Sequence, residues 1–588
     1  MPLEGYIRKR PDGEWWLDQI RQGELFRKNF ASEDRWPEWR AMYRGDWDPG
    51  IMPVNLFFTM LRTTVPRIYF RDPRVSIMPG KPGFLNMAFA RILERADNKL
   101  LRQMKIKKHM KRIVQQTFLL GTSFGKLGFG SIHTPVPLDE ADPIGKSGEL
   151  LEFNFDLNPD MPWFSAVHPS TVIVPNMLGE FEHSRWIAHY ILRPVEDVRA
   201  DPRFTNTNGI KPTRKFQTPT NHRIDMRDNL VELYEVRDKK TGKTFVLAPS
   251  KQGSDKTIFF DDDRMLLYGG FPFYPSIYND DDEVFWGIPD AKILEPYQLE
   301  INEIKTQIMK HRRLTLVKII VKEKGMTPDE AEKLVSQDVS AVAFIKGSPV
   351  NDVRLITGST IPQELFVAAE SVTRDVRESL GFSRNQFGEF NSRTADTTAT
   401  EANIVQAASE IRVDERRDMM ADMLVDIIES VHQIIFDLWG NEQVVDVIGP
   451  GGVPVWVAFK GQQLRSGAFA VNIDPDSGVP ETRQVREQRA MTLYQLLVSN
   501  PLIDPIKLTQ HLLAEFKGTA FDDMMRIIPA APGIGGNSPG NPLQPEQFAN
   551  FLGQSFALAN SQGLSQPTLP APQPSNAPTQ LQGGIISQ

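Results

Sequence analysis

Two helical patterns set either side of a short insert constrain this chain more than any other feature. Between Pro289 and Arg313, apolar Leu294, Tyr297, Ile301, Ile304 and Ile308 recur at spacings of three and four. Between Thr360 and Leu380, Leu365, Ala369, Val372, Val376 and Leu380 do the same. Each pattern predicts a helix with one buried stripe. Thr360 with Gln363 fits a capping box, and Gly381 suits the C-terminal stop. Lys310, His311, Arg312 and Arg313 close the first helix, where the C-terminal dipole favours cations. The insert itself reads as a strand at Leu314 to Lys322, a short helix at Pro328 to Ser336 capped by Thr327, and strands at Val342 to Ile345 and Val353 to Leu355. A unit this small buries too little to stand alone, so the two helices are expected to bracket it and neighbours to support it.

The chain continues in a polar stretch, Gly381 to Asp396. A second capping box follows, Thr398 with Glu401, and a helical pattern runs to Trp439 with Gly440 as its stop. At ~1.5 Å per residue this is roughly 60 Å of helix, unless it breaks between Ile411 and Arg416. On the N-terminal side, Trp15, Trp16, Trp36, Trp39 and Trp47 mark an amphipathic helical region, and Phe84 to Leu120 reads as one helix. Its second half holds the densest basic patch of the chain: Lys99, Arg102, Lys105, Lys107, Lys108, Lys111 and Arg112. Residues 117–280 change character. Short β-prone runs appear at Phe124 to Ile132, Leu150 to Phe155, Thr171 to Val174, Trp186 to Leu192, Leu230 to Arg237, Thr244 to Leu247 and Thr257 to Phe260, punctuated by Gly, Pro and Asn. Beyond the long helix, Val455 to Phe459 and Phe469 to Ile473 read as strands, and Arg483 to Ser499 and Pro505 to Glu515 as helices. From Ala531 to Gln588 there are nine prolines and one charged residue, Glu546, which predicts a disordered Gln/Pro-rich tail. Within it, Phe548 to Leu558 is apolar enough to dock on a partner.

At 588 residues the chain exceeds what one core supports, so several structural units are expected. There is no cysteine, which removes disulfides, iron–sulfur clusters and thiolate zinc sites. No apolar run is long enough for a membrane span, and Met1 to Arg21 does not read as a signal peptide. The formal charge of −7 argues against a tight, static DNA binder. It is compatible with a conduit, because each phosphate contact adds salt-dependent affinity that would hinder sliding.

Chemistry is sparse. The sequence lacks the P-loop, HExxH, GxSxG and GxGxxG patterns. The glycines between Gly121 and Gly130 lack the P-loop Lys and Ser, and read as a turn between helix and strand. Asp261 to Asp263 and Asp280 to Glu283 are acidic runs, but consecutive carboxylates diverge, so solvated turns are the plain reading. Nine histidines are scattered without ligand spacing and read as packing or surface residues. No catalytic residue, metal or cofactor is expected, and the chain reads as a structural subunit, not an enzyme.

Three local stretches add to the order of elements: NLFFTMLRTTVPRIYF from Asn55 to Phe70 followed by Asp72-Pro73, the basic helix running into LGTSFGKLGF from Leu120 to Phe129, and Val167-His168-Pro169 followed by Thr171 to Val174. Together, over roughly Asn55 to Glu515, they resemble the portal (head-to-tail connector) protein of tailed double-stranded DNA bacteriophages. The resemblance implies an α+β, multi-domain portal fold assembled as a ring. Residues 1–285 would be the wing, 286–313 the first stem helix, 314–359 the clip and 360–380 the second stem helix. Residues 381–397 would be a tunnel loop, 398–480 the long helix and the rest of the wing, 481–528 the crown and 529–588 the tail.

It further implies a homo-oligomeric ring, usually a dodecamer, at one capsid vertex of the virion, assembled in the host cytoplasm. Double-stranded DNA would pass through it independently of sequence. Its partners would be the terminase large subunit, a head–tail adaptor or tail protein, and the major capsid and scaffold proteins, with no membrane. Within that frame, Lys310, Arg312, Arg313, Arg374 and Arg377 on the stem and Arg384, Asn385, Gln386 and Arg393 in the loop are candidates to face DNA, balanced by Asp375 and Glu378. The competing readings are a ring or scaffold protein of a particle without a channel, and a metal-dependent nuclease built on an acidic cluster.

Overall fold

The computed structural model describes residues 12–69, 75–130, 161–201, 203–212, 215–217, 223–225, 230–266, 270–314, 318–321, 329, 353–356, 360–380, 399–440, 442–448, 454–465, 469–473, 483–497 and 543–561. The fold is mixed helix and sheet, α+β.

The N-terminal tryptophan region is two helices, α1 (Gly13–Phe30) and α2 (Trp36–Arg44). Trp16, Trp36 and Trp39 are buried while Trp15 stays exposed. α3 (Leu56–Ile68) follows, capped by the Asn55 side chain, and then β1 (Val75–Pro79). The single helix expected over Phe84 to Leu120 is in fact two, α4 (Phe84–Gln103) and α5 (Ile106–Leu120). Lys105 breaks them apart in a left-handed conformation, φ 53°, which nothing in its residue type announces. α5 turns sharply into β2 (Thr122–Phe129) at Gly121. There φ is +82° and a Cβ would stand 2.2 Å from the Gly287 carbonyl oxygen. Only glycine satisfies both conditions.

β2 is the centre of a three-stranded antiparallel sheet, flanked by β3 (Pro162–Val167) and by β11 (Phe273–Ile277). Both flanking strands escaped the sequence reading, being short and interrupted by proline or polar residues. The second sheet has five antiparallel strands in the order β10–β9–β8–β5–β4. These are β4 (Val172–Ile173), β5 (Trp186–Pro194), β8 (Leu230–Asp238), β9 (Lys243–Leu247) and β10 (Thr257–Asp262). Between β5 and β8 come a short helix, α6 (Val195–Ala200), and a small hairpin of β6 (Lys215–Gln217) and β7 (Arg223–Asp225). Trp16 and Ile20 of α1 pack on one face of the five-stranded sheet, against Trp186, Val236 and Phe245. Val195 and Val198 pack on the other, against Val231, Leu233 and Ile258.

The first bracketing helix is α7 (Asp290–Leu314) and the second is α8 (Glu364–Leu380). α8 begins three residues later than the capping box at Thr360 predicts. Pro362 pushes the residue before it out of the helical region, and Gln363 takes over at the start, its carbonyl accepting from Phe366 at 3.0 Å and Val367 at 3.2 Å. Of the insert, β12 (Lys318–Val321) and β13 (Val353–Ile356) pair antiparallel. The predicted short helix at 328–336, the strand at 342–345, the strand at 150–155 and the helix at 505–515 lie outside the described residues. So does the loop at 381–397.

α9 (Ala399–Leu438) runs unbroken for 40 residues, through the stretch where a break was an option. It leads into a β-hairpin, β14 (Gln443–Ile448) with β15 (Pro454–Phe459), then α10 (Gly461–Leu464), β16 (Phe469–Ile473) and α11 (Arg483–Leu497). β16 pairs antiparallel with β1. The expectation of a disordered tail fails over residues 543–561. Leu543 bridges Val457, and α12 (Pro545–Ser561) seats Phe548, Ala549 and Leu552 in the main core. The apolar spacing of that helix outweighs its Gln/Pro-rich surroundings. Its partner is this chain itself, on α4 and β15.

Two large apolar clusters form the body. One joins α4, the first half of α5, α9, β14, β15 and α12. The other joins α2, α3, the end of α5, β2, β11, α7 and α8. α5 belongs to both, with Ile106 to Val114 in the first and Phe118 to Leu120 in the second, so it ties the two clusters together.

Candidate functional site

The helix pair is built on one shared apolar wall. Ala291, Leu294, Ile301 and Ile304 of α7 lie in the same buried cluster as Ala369, Val376 and Leu380 of α8, with Tyr297, Ile308, Leu365 and Val372 at its margin. Tyr297 Oη and Ser379 Oγ are 2.9 Å apart, joining the start of α7 to the end of α8. β12 continues α7 and pairs with β13, which precedes α8. The two helices therefore run antiparallel, rooted in the body at one end and joined by a strand pair at the other.

The root is pinned by polar side chains. Gln298, Asn302 and Thr306 repeat every four residues along α7 and face the segment that runs from Met52 into the start of α3, whose groups repeat every two. Met52 N–H donates to Thr306 Oγ1 (2.9 Å), Val54 N–H to Asn302 Oδ1 (2.9 Å) and Leu56 N–H to Gln298 Oε1 (2.8 Å). Gln298 Nε2 donates in turn to the Val54 carbonyl at 2.7 Å. One helical turn and two extended residues both advance roughly 5–7 Å, so the two periods match. The N–H groups of Met52, Val54 and Leu56, increasingly buried along the segment, are satisfied by a helix as they would be by a neighbouring strand.

The five described cations are not brought to one point. Lys310, Arg312 and Arg313 are exposed in the last turns of α7, next to the strand pair. Arg374 is exposed and Arg377 half-buried on α8. Because the helices are antiparallel, these two lie about 10–20 Å back toward the root. Arg374 donates to Ser371 Oγ (3.3 Å) and sits 3.9 Å from Asp375. The outward stripes of the pair, Glu300, Glu303, Gln307 and Lys310 on one helix and Val367, Glu370, Arg374 and Glu378 on the other, mix charges of both signs, with acids in the majority. Such a surface offers a polyanion no fixed anion site and does not hold it. Arg384, Asn385, Gln386 and Arg393 lie outside the described residues.

The acidic runs do not converge. Asp261 stays exposed, Asp262 pairs with Lys243, and Asp263 turns inward to Arg237. In the second run, Asp281 Oδ1 accepts from the Glu283 N–H at 3.1 Å, as in a solvated turn. Among the described residues, no three His, Asp or Glu side chains are placed to hold one metal ion.

Sequence reasoning missed a buried ion network between the two sheets. Lys126 Nζ lies 2.7 Å from Glu235 Oε2 and 3.2 Å from His189 Nδ1. Arg237 bridges Glu235 (2.6 Å) and Asp263 (2.5 Å). Burial alone would raise the Glu235 carboxyl, but Lys126, Arg237 and His189 beside it hold it well below the usual range. Burial and the Lys126 ammonium push His189 from 6.5 down to about 3, so its ring stays neutral. The charges cancel within the network, which suits a joint between sheets. Its members are far apart in sequence, and no local spacing signals them. A second buried contact, His432 Nε2 to Asp97 Oδ2 at 2.7 Å, ties α9 to α4.

A recess of about 200 Å³ lies between α4 and β14, lined by Lys99, Leu100, Gln103, Trp439 and Val445 among others. Ligand pockets begin at roughly 300 Å³, so it is small for an organic cofactor. Among the described residues no helix is long and apolar enough to cross a membrane.

What the architecture defines is an α+β protein with an antiparallel helix pair packed on the body and one helix of 40 residues. No protein-family model matches the chain, and no curated protein matches it.

Proposed function

We propose that this chain is a portal subunit: copies form a closed ring at one capsid vertex, and double-stranded DNA is packaged and ejected through its axis. The observation that carries the reading is the helix pair. Its two members share one apolar wall, root in the body through Gln298, Asn302 and Thr306, and are joined at the far end by β12 and β13. An antiparallel pair of this kind presents two unlike flanks, which is what heterologous contacts in a cyclic ring require. Its mixed-charge outer stripes suit a wall that DNA passes without being held. On this reading the strand-paired end docks the terminase large subunit and later a head–tail adaptor, and the body meets the capsid and scaffold proteins.

The test is imaging of the purified full-length protein in negative stain. The portal reading expects rings with an axial hole wide enough for a duplex. Solid or open assemblies would overturn it and leave a structural protein without a channel. Charge-neutral substitution of Arg384 and Arg393 should impair packaging or genome retention while rings persist. Metal-dependent DNA cleavage that is lost on replacing Asp281 and Asp282 would point to the nuclease reading instead.

A further inference from the structure

Two faces of the body carry like charges that no described counter-charge meets. On the first, Arg40 and Arg44 of α2 stand beside Arg112 of α5, with Lys108 and Lys105 following along α5. Arg44, Lys105, Lys108 and Arg112 are exposed, and none of the five pairs with a described carboxylate. Arg40 hydrogen-bonds His168 Nε2 instead. That imidazole is held well below its ordinary value by burial and by Arg40, Arg27 and Arg112, so it stays neutral and leaves the cations uncompensated.

On the second face, Glu415, Asp418, Asp422, Asp426 and Glu429 follow one another on α9 at spacings of three or four. They form a single stripe about 21 Å long. All five are exposed and none is in a described ion pair. The cations within this stretch are engaged elsewhere, Arg416 with Asp290 and Arg417 with Asp414. Desolvation and the carboxylates of Glu429, Asp422 and Glu182 push the Asp426 carboxyl up, the mark of acids crowded without a cation.

The three-stranded sheet fixes where these faces lie. Its order is β11–β2–β3. α5 packs over β2 and β3, His109 Nδ1 accepting from the Ala166 N–H at 3.2 Å, and the Arg40–His168 contact stands just past the end of β3. α9 packs over β11, where Tyr274 lies near Asp426. The basic face thus lies toward the β3 side of the sheet and the acidic stripe toward the β11 side.

We propose that copies of this chain associate head to tail through these two faces, the α2–α5 cations of one copy seated on the α9 acid stripe of the next. The occupant is a second copy because the complementary surface, five carboxylates against five cations, is on the chain itself. Unlike faces on opposite edges also give a contact that repeats around a ring. The inference deepens the ring reading and rests on it only for the expectation that copies meet. Carboxylate and guanidinium across such an interface set register and speed encounter, and they weaken with salt.

The experiment is a charge swap in the full-length protein, read by sedimentation velocity at low and high salt, with circular dichroism on every variant. Arg44→Glu, Lys108→Glu and Arg112→Glu together should weaken association at least about tenfold, as should Asp418→Lys, Asp422→Lys and Glu429→Lys together. All six changes in one chain should restore it. Gln at the three basic positions covers the case that reversal disturbs folding, and should weaken association in the same direction. Wild-type association in both triple variants, or no restoration by the swap, overturns the proposal, and rings that persist would leave the portal reading intact. Restoration by the swap in assemblies lacking an axial hole would instead keep this interface and sink the channel. Two other occupants are read in parallel. Loss of duplex binding in fluorescence anisotropy by the basic triple variant, with association unchanged, would put nucleic-acid phosphate on the basic face and overturn the proposal. So would loss of association on neutralising Asp139, Glu140, Asp142 and Glu149 with no effect of the α9 reversals, which would assign that face to the chain's own acidic segment.

Discussion

Arg416, in the middle of α9, donates to the carboxylate of Asp290, the first residue of α7, at 2.9 Å. The aspartate is almost wholly buried, Asn279 donates to the same oxygen at 3.0 Å, and the guanidinium lies over the Tyr278 ring. The long helix and the helix pair therefore share one buried ion pair at the root. Removing one member leaves the other charged without compensation, which costs about 3–5 kcal/mol. Arg416→Ala should lower the unfolding midpoint in urea by a corresponding amount. Arg416→Ala with Asp290→Ala should cost less than the two single changes summed.

Gln298 is expected to behave as backbone does. Gln298→Leu keeps the volume and removes the amide that accepts from the Leu56 N–H and donates to the Val54 carbonyl; these two groups keep only their 2.8 Å contact with each other, so the loss is about 1–3 kcal/mol in all. Hydrogen exchange is the readout. The amides of Val54, Leu56 and Phe57 should lose protection while those of α9 keep theirs. Uniform loss across the body would mean that the segment is held by packing alone.

Gly121 and Gly242 separate two costs of replacing glycine. Both have positive φ, +82° and +63°, but a Cβ on Gly121 meets the Gly287 carbonyl oxygen at 2.2 Å while a Cβ on Gly242 meets nothing within 4 Å. Gly242→Ala should cost only the left-handed conformation, about 1–2 kcal/mol. Gly121→Ala must also move one backbone segment against another and should lower the melting temperature clearly more. Equal shifts would contradict the close approach.

Acidification should weaken the joint between the sheets. His189 titrates at about 3 in the folded chain against 6.5 in its absence. Between those values the unfolded chain binds a proton that the folded chain refuses, so stability falls as pH drops below about 6.5. The slope approaches about 1.4 kcal/mol per pH unit for this one group. Denaturant midpoints measured from neutral to mildly acidic pH should fall less steeply in His189→Gln than in the wild type. Parallel curves would mean that His189 is accessible to protons in the native state.

Phe548 is fully buried in the main core although it belongs to a Gln/Pro-rich region. Phe548→Ala should cost about 3–5 kcal/mol if the α12 contact folds with the body. Limited proteolysis should then release the C-terminal segment early. A variant as resistant as the wild type would show that α12 contributes nothing to the core.

The sequence made the long elements legible and left the joints obscure. α7, α8 and α9 were readable because an apolar residue every three or four positions is a local signal. The break at Lys105 was not, since a lysine in a left-handed turn looks like any other exposed lysine. β3 and β11 were overlooked because Pro162 and Pro275 sit within runs that tertiary pairing, not propensity, makes into strands. Lys126 and Glu235 are 109 residues apart, and no local spacing links them before the sheets bring them together. The cations of the helix pair were legible as types, but their spread over two levels follows only from the antiparallel packing. α12 had its spacing in plain view, and composition argued it away.

The pairing of β1 with β16 has a consequence for synthesis. Among the described residues, Val75 to Pro79 finds its ladder partner in Phe469 to Ile473, on the far side of the helix pair and the long helix in the sequence. At ~5–20 residues per second a ribosome needs roughly 20–80 s to cover that interval. For that time β1 leaves the exit tunnel with its hydrogen-bonding edge open, and a nascent chain stalled ahead of residue 469 would offer that edge to whatever strand is nearby.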